Sequence, residues 1–242
     1  MKIALLSDIH SNLEAFHAVK NSIGTHGADK IIFIGDVVGY GANPNECIEL
    51  LRGMTDIMVA GNHDFAAVGK TDISYFNPNA RDALLWTTHE LTRENTLFLS
   101  SLPLHGVMDD IFFVHSTPYH PELWDYVLSM AAAVRSFADC PTPLCFIGHS
   151  HSPVIFVKDR ANKISAEMTS TIPVKKDVRY IINIGSVGQP RDGNPLSSYG
   201  LYDTETRKYT LIRVPYDMQT AQQKILAAGL PRFLAERLSL GH

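Results

Sequence analysis

Five short polar stretches carry most of the residues that could do chemistry. They are Ser7-Asp8-Ile9-His10, Gly35-Asp36, Gly61-Asn62-His63-Asp64, His115-Ser116 and Gly148-His149-Ser150-His151, and each follows a short apolar run. Their candidate donors are the imidazoles of His10, His115, His149 and His151, the carboxylates of Asp8 and Asp36, and the amide of Asn62. A nitrogen and oxygen set without thiolate suits manganese, iron or zinc, and differs from both a structural zinc cage and an all-oxygen calcium site. Asp8 and His10 stand two residues apart, which puts both on one side of an extended chain, and His149 and His151 repeat that spacing. Seven donors exceed what one ion needs. They predict two divalent ions roughly 3.5–4 Å apart with a shared carboxylate, for which Asp36 is the natural bridge. A lone D-x-H or G-D is ordinary turn chemistry; five such groups at strand ends, three preceded by glycine that permits a sharp turn, are not.

The elements around these stretches explain how they could meet, because ligands in α/β sheets bind outside the carboxyl ends of strands. Residues 2–6 form an apolar run, and Ser11 with Glu14 forms a capping box that predicts a helix whose face is Leu13, Phe16, Val19 and Ile23. A strand at 31–34 completes a βαβ unit. Asn43-Pro44 opens a second helix, 56–60 is a third strand, and Asn77-Pro78 opens a helix running through Leu84 and Leu91. Beyond residue 104 the rhythm turns antiparallel: Asp109-Asp110 separates two apolar runs, and the second, 111–114, ends at His115. A helix is expected over 123–137, stopped by Cys140-Pro141-Thr142-Pro143, and strands at 144–147, 154–157, 164–168, 180–184, 199–202 and 209–214. Asp217 caps a closing helix, so that 217–238 either packs on the core or offers a homodimer surface. The expectation is one mixed α/β domain over 1–242, with two packed sheets and outer helices.

Composition narrows the classes. The chain has 242 residues, 45% of them hydrophobic, which supplies a real core and excludes disorder. Its 21 basic and 25 acidic residues leave a net charge of −4, with no electrostatic footprint for stable nucleic-acid binding. The three cysteines show no C-x-x-C spacing, so reduced buried thiols are expected. No apolar stretch approaches a membrane span and no signal-peptide core forms before Asp8 and His10, which makes the cytoplasm the expected compartment.

In order, D-x-H, G-D, G-N-H-D, H and G-H-x-H form a pattern that resembles the calcineurin-like metallophosphoesterases, and the segment 183–191 looks like the one that follows in small bacterial and archaeal members. The resemblance implies a four-layer αββα sandwich with two mixed β-sheets flanked by helices. It places Asp8, His10 and His151 on a first metal, Asn62, His115 and His149 on a second, and Asp36 between them, the ions being manganese, iron or zinc. It places His63 beside the substrate as the general acid. A water shared by the two ions would be hydroxide near neutral pH, and the ions would draw charge from the phosphoryl oxygens.

The sequence departs from the protein Ser/Thr phosphatases, which continue the second motif as G-D-x-x-D-R-G. Here Gly35-Asp36-Val37-Val38-Gly39-Tyr40-Gly41 lacks both later charges, and Arg191 is the nearest candidate to contact phosphate. The implied substrate is a nucleotide or other small phosphoester, diester or monoester, with diadenosine polyphosphates as an alternative. Tyr40, Tyr119 and Trp124 fall near these loops, where they could stack on a base. A non-catalytic scaffold, such as the retromer subunit of similar fold that lacks the catalytic histidine, is the reading from another class, and His63 argues against it. His17, His26, His89, His105 and His242 fall at no motif, and His120 is left open.

Overall fold

The computed structural model describes residues 1–242. In chain order the elements are β1 (Lys2–Leu6), α1 (Leu13–His26), β2 (Lys30–Ile34), α2 (Pro44–Arg52), β3 (Met58–Val59), α3 (Asn62–Ala67), α4 (Pro78–Glu90), α5 (Arg93–Ser101), β4 (His105–Met108), β5 (Ile111–Val114), α6 (Met130–Asp139), β6 (Leu144–Ile147), β7 (Val154–Lys158), β8 (Ile164–Glu167), β9 (Thr171–Pro173), β10 (Arg179–Asn183), β11 (Ser197–Asp203), β12 (Lys208–Val214), α7 (Met218–Ala227) and α8 (Arg232–Glu236). They build two six-stranded mixed sheets, ordered β3-β2-β1-β11-β12-β9 and β4-β5-β6-β10-β7-β8.

Side-chain alternation along the strands makes the layers. In β1, Ile3 and Leu5 join Ile111, Phe113, Phe146 and Ile182 in a core between the two sheets, while Ala4 and Leu6 turn outward onto Phe16 and Val19 of α1. In β5, Ile111 and Phe113 face that inter-sheet core, and Phe112 and Val114 face Ala133 and Phe137 of α6. The period of two in a strand buried on both faces needs apolar residues at every position, which is why these runs are continuous. The result is the expected αββα sandwich. The C-terminal helices pack on it: Ile225, Leu230, Leu234 and Leu238 are buried with Ala80 and Ala83 of α4 and with Tyr40. No helix is long and apolar enough to cross a membrane.

Several local expectations are corrected. The first helix starts one residue late: Asn12 caps it by accepting from the Ala15 amide, while Ser11 has φ 53° and its hydroxyl caps nothing. The helix expected over 123–137 exists only from Met130, because Trp124 has a left-handed φ of 56° that no α-helix accommodates and Ser129 caps the helix that follows. The edge strand β9 and the helices α3 and α5 were not anticipated; β9 spans only three residues.

Candidate metal centre

All five polar stretches meet at one end of the two sheets. The first sheet brings the parallel strands β1, β2 and β3 side by side, and the second does the same with β5 and β6. Their following loops are stitched directly: the Asp8 amide donates to Gly35 O at 2.9 Å, the His10 amide to Asp36 O at 3.1 Å, and the Gly148 amide to His115 O at 3.0 Å. Two cross-links join loop to side chain, the His149 amide to Asp8 Oδ2 at 3.1 Å and the His63 amide to Asp36 Oδ1 at 2.8 Å.

Alternation along an extended chain is not what aligns Asp8 with His10 or His149 with His151. These four and Asp36 all have left-handed backbones, with φ between 50° and 66°. Asp and His tolerate this region better than most residues, but each instance is strained, and strain concentrated in one spot is paid for by what the spot does. The three glycines also differ in purpose. Gly35 needs both its freedom, at φ +87°, and the missing Cβ, which would collide with Gly61 and His115, whereas Gly61 and Gly148 need only the space, a Cβ there meeting Asp36 and, respectively, Ser7 and Asp8.

The histidine tautomers follow from their carbonyl partners. His10 Nδ1 donates to Val38 O at 2.9 Å, His115 Nδ1 to Ile34 O at 2.8 Å, His151 Nδ1 to Gln189 O at 2.6 Å, and His149 Nε2 to Trp124 O at 2.8 Å. A carbonyl only accepts, so each of these nitrogens carries the proton and the other ring nitrogen is a bare acceptor in the neutral ring. Those acceptors converge on carboxylate oxygens that also lack donors. Asp8 Oδ1 lies 3.1 Å from His151 Nε2 and 3.7 Å from His10 Nε2, and Asp36 Oδ2 lies 3.1 Å from His115 Nε2 and 3.7 Å from His10 Nε2. His10 Nε2 and His151 Nε2 are 3.0 Å apart. Asp8 Oδ1, Asp36 Oδ2, His115 Nε2 and Asn62 Oδ1 are buried without a hydrogen-bond partner. A buried cluster of facing lone pairs is unstable unless cations sit among them, and its nitrogen and carboxylate donors fit a divalent transition ion.

The residues fall into groups able to hold such ions: Asp8, His10 and His151; Asp36, His115 and His149; and His10, Asp36 and His63. His10 and Asp36 each belong to two of them, and of the pair only Asp36 is a carboxylate, with a second oxygen to offer. The carbonyls that orient the rings are the outer partners that metal-binding histidines ordinarily have.

Electrostatics match this arrangement. Burial alone would raise both carboxyls, but His151 and His115 hold Asp8 well below its ordinary range, and His115 and His63 do the same for Asp36. Burial opposes a charged His115, yet the Asp36 and Asp8 carboxylates lift it to about 9. Burial, aided by the charge of His115 for one ring and of Arg191 for the other, lowers His149 and His151 to about 3. In the metal-free protein His115 therefore keeps its proton until the pH passes about 9. A divalent ion must displace that proton, so metal binding at pH 7 is expected to release about one proton, and apparent affinity to rise about tenfold per pH unit until it flattens above pH 9. Calorimetric titration with manganese in buffers of different ionisation enthalpy measures this; affinity independent of pH between 6 and 8 would contradict it.

His63 lies at the edge of the cluster, its ring 4.8 Å from His10 and 4.5 Å from Tyr40. Gly39 occupies the place of the second aspartate in the protein-phosphatase motif. A Cβ there would come within 2.5 Å of His63 Nδ1, which is buried and unpartnered. The nitrogen available to a bound ester is thus Nε2. Burial holds His63 well below the ordinary imidazole range, with the like charge of His10 and Arg191 opposing the carboxylate of Asp36.

Arg191 stacks over the Tyr40 ring at 5.5 Å and donates to Gln189 Oε1 at 3.2 and 2.7 Å. Tyr119 is set off from the cavity beside the cluster, under Arg135, and His120 is an exposed partner of Glu122. Asp64 has a larger part than its place in G-N-H-D suggested. Its carboxylate accepts the amides of Asp36, Val37, Val38 and Gly61 at 2.8–3.2 Å and so shapes the loop that carries Asp36.

Residues 1–207 match the calcineurin-like phosphoesterase superfamily domain. The chain belongs to this superfamily. It is 44% identical over 246 residues to the uncharacterized protein MJ0912 of Methanocaldococcus jannaschii, covering 99% of this chain and 98% of that one. It is also similar to a metallophosphoesterase of known structure from Sphaerobacter thermophilus, at 40% identity and a TM-score of 0.89, with 100% and 99% of the two chains covered. The PH1004 protein of Pyrococcus horikoshii shares the fold at 19% identity and a TM-score of 0.79, over 100% and 98% of the chains. The calcineurin-like phosphoesterase match ends at 207, before α7 and α8.

Proposed function

We propose that this chain is a dinuclear-metal phosphoesterase acting on a small diester or monoester, and that its 242 residues work as one unit. The observation that carries the reading is the buried convergence of His10, His115 and His151 ring nitrogens on Asp36 and Asp8, with Asp8 Oδ1, Asp36 Oδ2 and Asn62 Oδ1 left without a hydrogen-bond partner. Asp8, His10 and His151 would hold one divalent ion, Asn62, His115 and His149 the other, and Asp36 both. When bound, such ions supply an acidified water and neutralise charge on the phosphoryl oxygens.

The chain's own residues do the rest. Hydrolysis replaces the leaving oxygen at phosphorus by a water oxygen, and the departing oxygen needs a proton. His63 Nε2 is placed to give it, and an anionic ester beside the ring raises its pKa toward the working range. Arg191 has free guanidinium hydrogens for a phosphoryl oxygen, and the Tyr40 ring contacts both Arg191 and His63, so the two lie near each other beside the cluster.

The test is hydrolysis of p-nitrophenyl phosphate and its bis ester by protein stripped with chelator and reloaded with manganese, iron or zinc. Metal-restored turnover is expected, with the bis ester preferred. A reloaded protein that turns over neither ester would be a metal-binding scaffold.

A further inference from the structure

An open cavity of about 580 Å³ adjoins the cluster, within the range of small-molecule sites. Its floor includes Asn62, His63 and His149, and its walls are two segments, 71–77 and 122–126, that carry short 3-10 turns at Ile73–Tyr75 and Pro121–Leu123. The segments are tied together by Trp124 Nε1, which donates to Thr71 Oγ1 at 3.1 Å, and the indole is further held edge-to-face against Phe65. Tyr126 stacks on His149 with centroids 4.0 Å apart, and Phe76 meets His63 edge-to-face at 5.1 Å. Tyr75, 91% exposed, and Leu123, 62% exposed, stand at the mouth with nothing packed over them.

Charge distinguishes this cavity from the rest of the site. No Lys or Arg lines it, and its two charged residues are the carboxylates of Asp72 and Glu122. Away from the floor, where Asn62 and His149 would hold an ion, an anionic group such as a polyphosphate chain would meet like charge at the rim, whereas the guanidinium of Arg191 lies over Tyr40 rather than among the lining residues. His63 is in the floor, so the part of an ester that occupies the cavity is the part whose oxygen lies beside the proposed acid.

We infer that this cavity is the leaving-group subsite, and that it takes a flat, uncharged aromatic group bearing amino hydrogens, as the base of a nucleoside does. Aromatic walls stack on such a ring without demanding its sequence or orientation, and the two rim carboxylates accept from amino groups. The inference rests on the phosphoesterase reading for the word leaving, and not for the binding itself. It also orients the ester, with the retained phosphoryl charge turned toward Arg191, and it disfavours diadenosine polyphosphates, whose departing arm is anionic.

The binding test uses metal-free protein carrying Trp86→Phe, so that Trp124 is the single reporter. Adenosine is expected to quench its fluorescence saturably, inorganic triphosphate is not, and Tyr75→Ala, at a position too exposed to affect folding, is expected to weaken adenosine about tenfold. Absence of saturable quenching overturns the inference, and so does choline quenching at lower concentration than adenosine, which would mark a cage for quaternary ammonium. In the manganese-loaded enzyme, Glu122→Lys should raise severalfold the ratio of kcat/KM for diadenosine tetraphosphate to that for bis(p-nitrophenyl) phosphate; an unchanged ratio overturns the charge argument. Adenosine binding without hydrolysis of any ester would sink the phosphoesterase reading and leave the subsite standing; hydrolysis without adenosine binding would do the reverse.

Discussion

Asp36→Asn is expected to empty the metal site and lower turnover by at least about a thousandfold, because nucleophile generation and charge neutralisation are lost together. The substitution is nearly isosteric, so the Oδ1 that accepts the His63 amide at 2.8 Å can be kept. What changes is Oδ2, which faces His115 and His10. An amide nitrogen placed there carries no charge and no lone pair for an ion, and an amide oxygen placed there supplies a weaker, uncharged donor. His115, without the carboxylate that lifts it most, loses much of its raised basicity. The variant should fold, as judged by circular dichroism, and should bind less metal than the native chain at equal free manganese. Retention of both ions with full turnover would remove Asp36 from the bridging position.

His63→Ala is expected to have the opposite signature: metal retained and turnover down by about a hundred- to ten-thousandfold, the usual contribution of a positioned proton donor. Its Nδ1 is turned to Gly39, its amide is bound by Asp36, and its ring lines the cavity from which an ester would enter. The loss should be smallest for p-nitrophenyl esters, whose leaving oxygen departs without a proton, and largest for alkyl esters. His63 also lies close enough to His10 and Asp36 to share an ion with them. Metal content therefore decides between acid and ligand: if His63→Ala loses as much metal as Asp36→Asn, His63 is a ligand and the division of roles collapses.

The donor set was legible in the sequence because a short apolar run followed by Asp, His or Asn is visible one strand at a time, and parallel strands necessarily bring such ends together. Why the donors align was not legible. Two-residue spacing suggested an extended chain, whereas Asp8, His10, His149 and His151 sit in left-handed turns after their strands have ended. The groups that orient the imidazoles are main-chain carbonyls of Val38, Ile34, Gln189 and Trp124, which every residue possesses and no residue type announces. The segment 123–137 shows the limit most clearly. Its periodicity suggests one helix, yet its first part stays irregular, turning at Trp124 so that the carbonyl there meets His149 and the indole walls the cavity. Local propensity gave way where the site needed a loop. Asp64 is a milder case, since its place in the motif was visible but its four amide partners depend on how the Asp36 loop folds back.

Whether two ions share Asp36 is decided by metal stoichiometry. The full chain, stripped with chelator and titrated with manganese, should take up two ions per chain by elemental analysis, with ester hydrolysis appearing only as the second binds. Full activity at one ion per chain would contradict a shared Asp36.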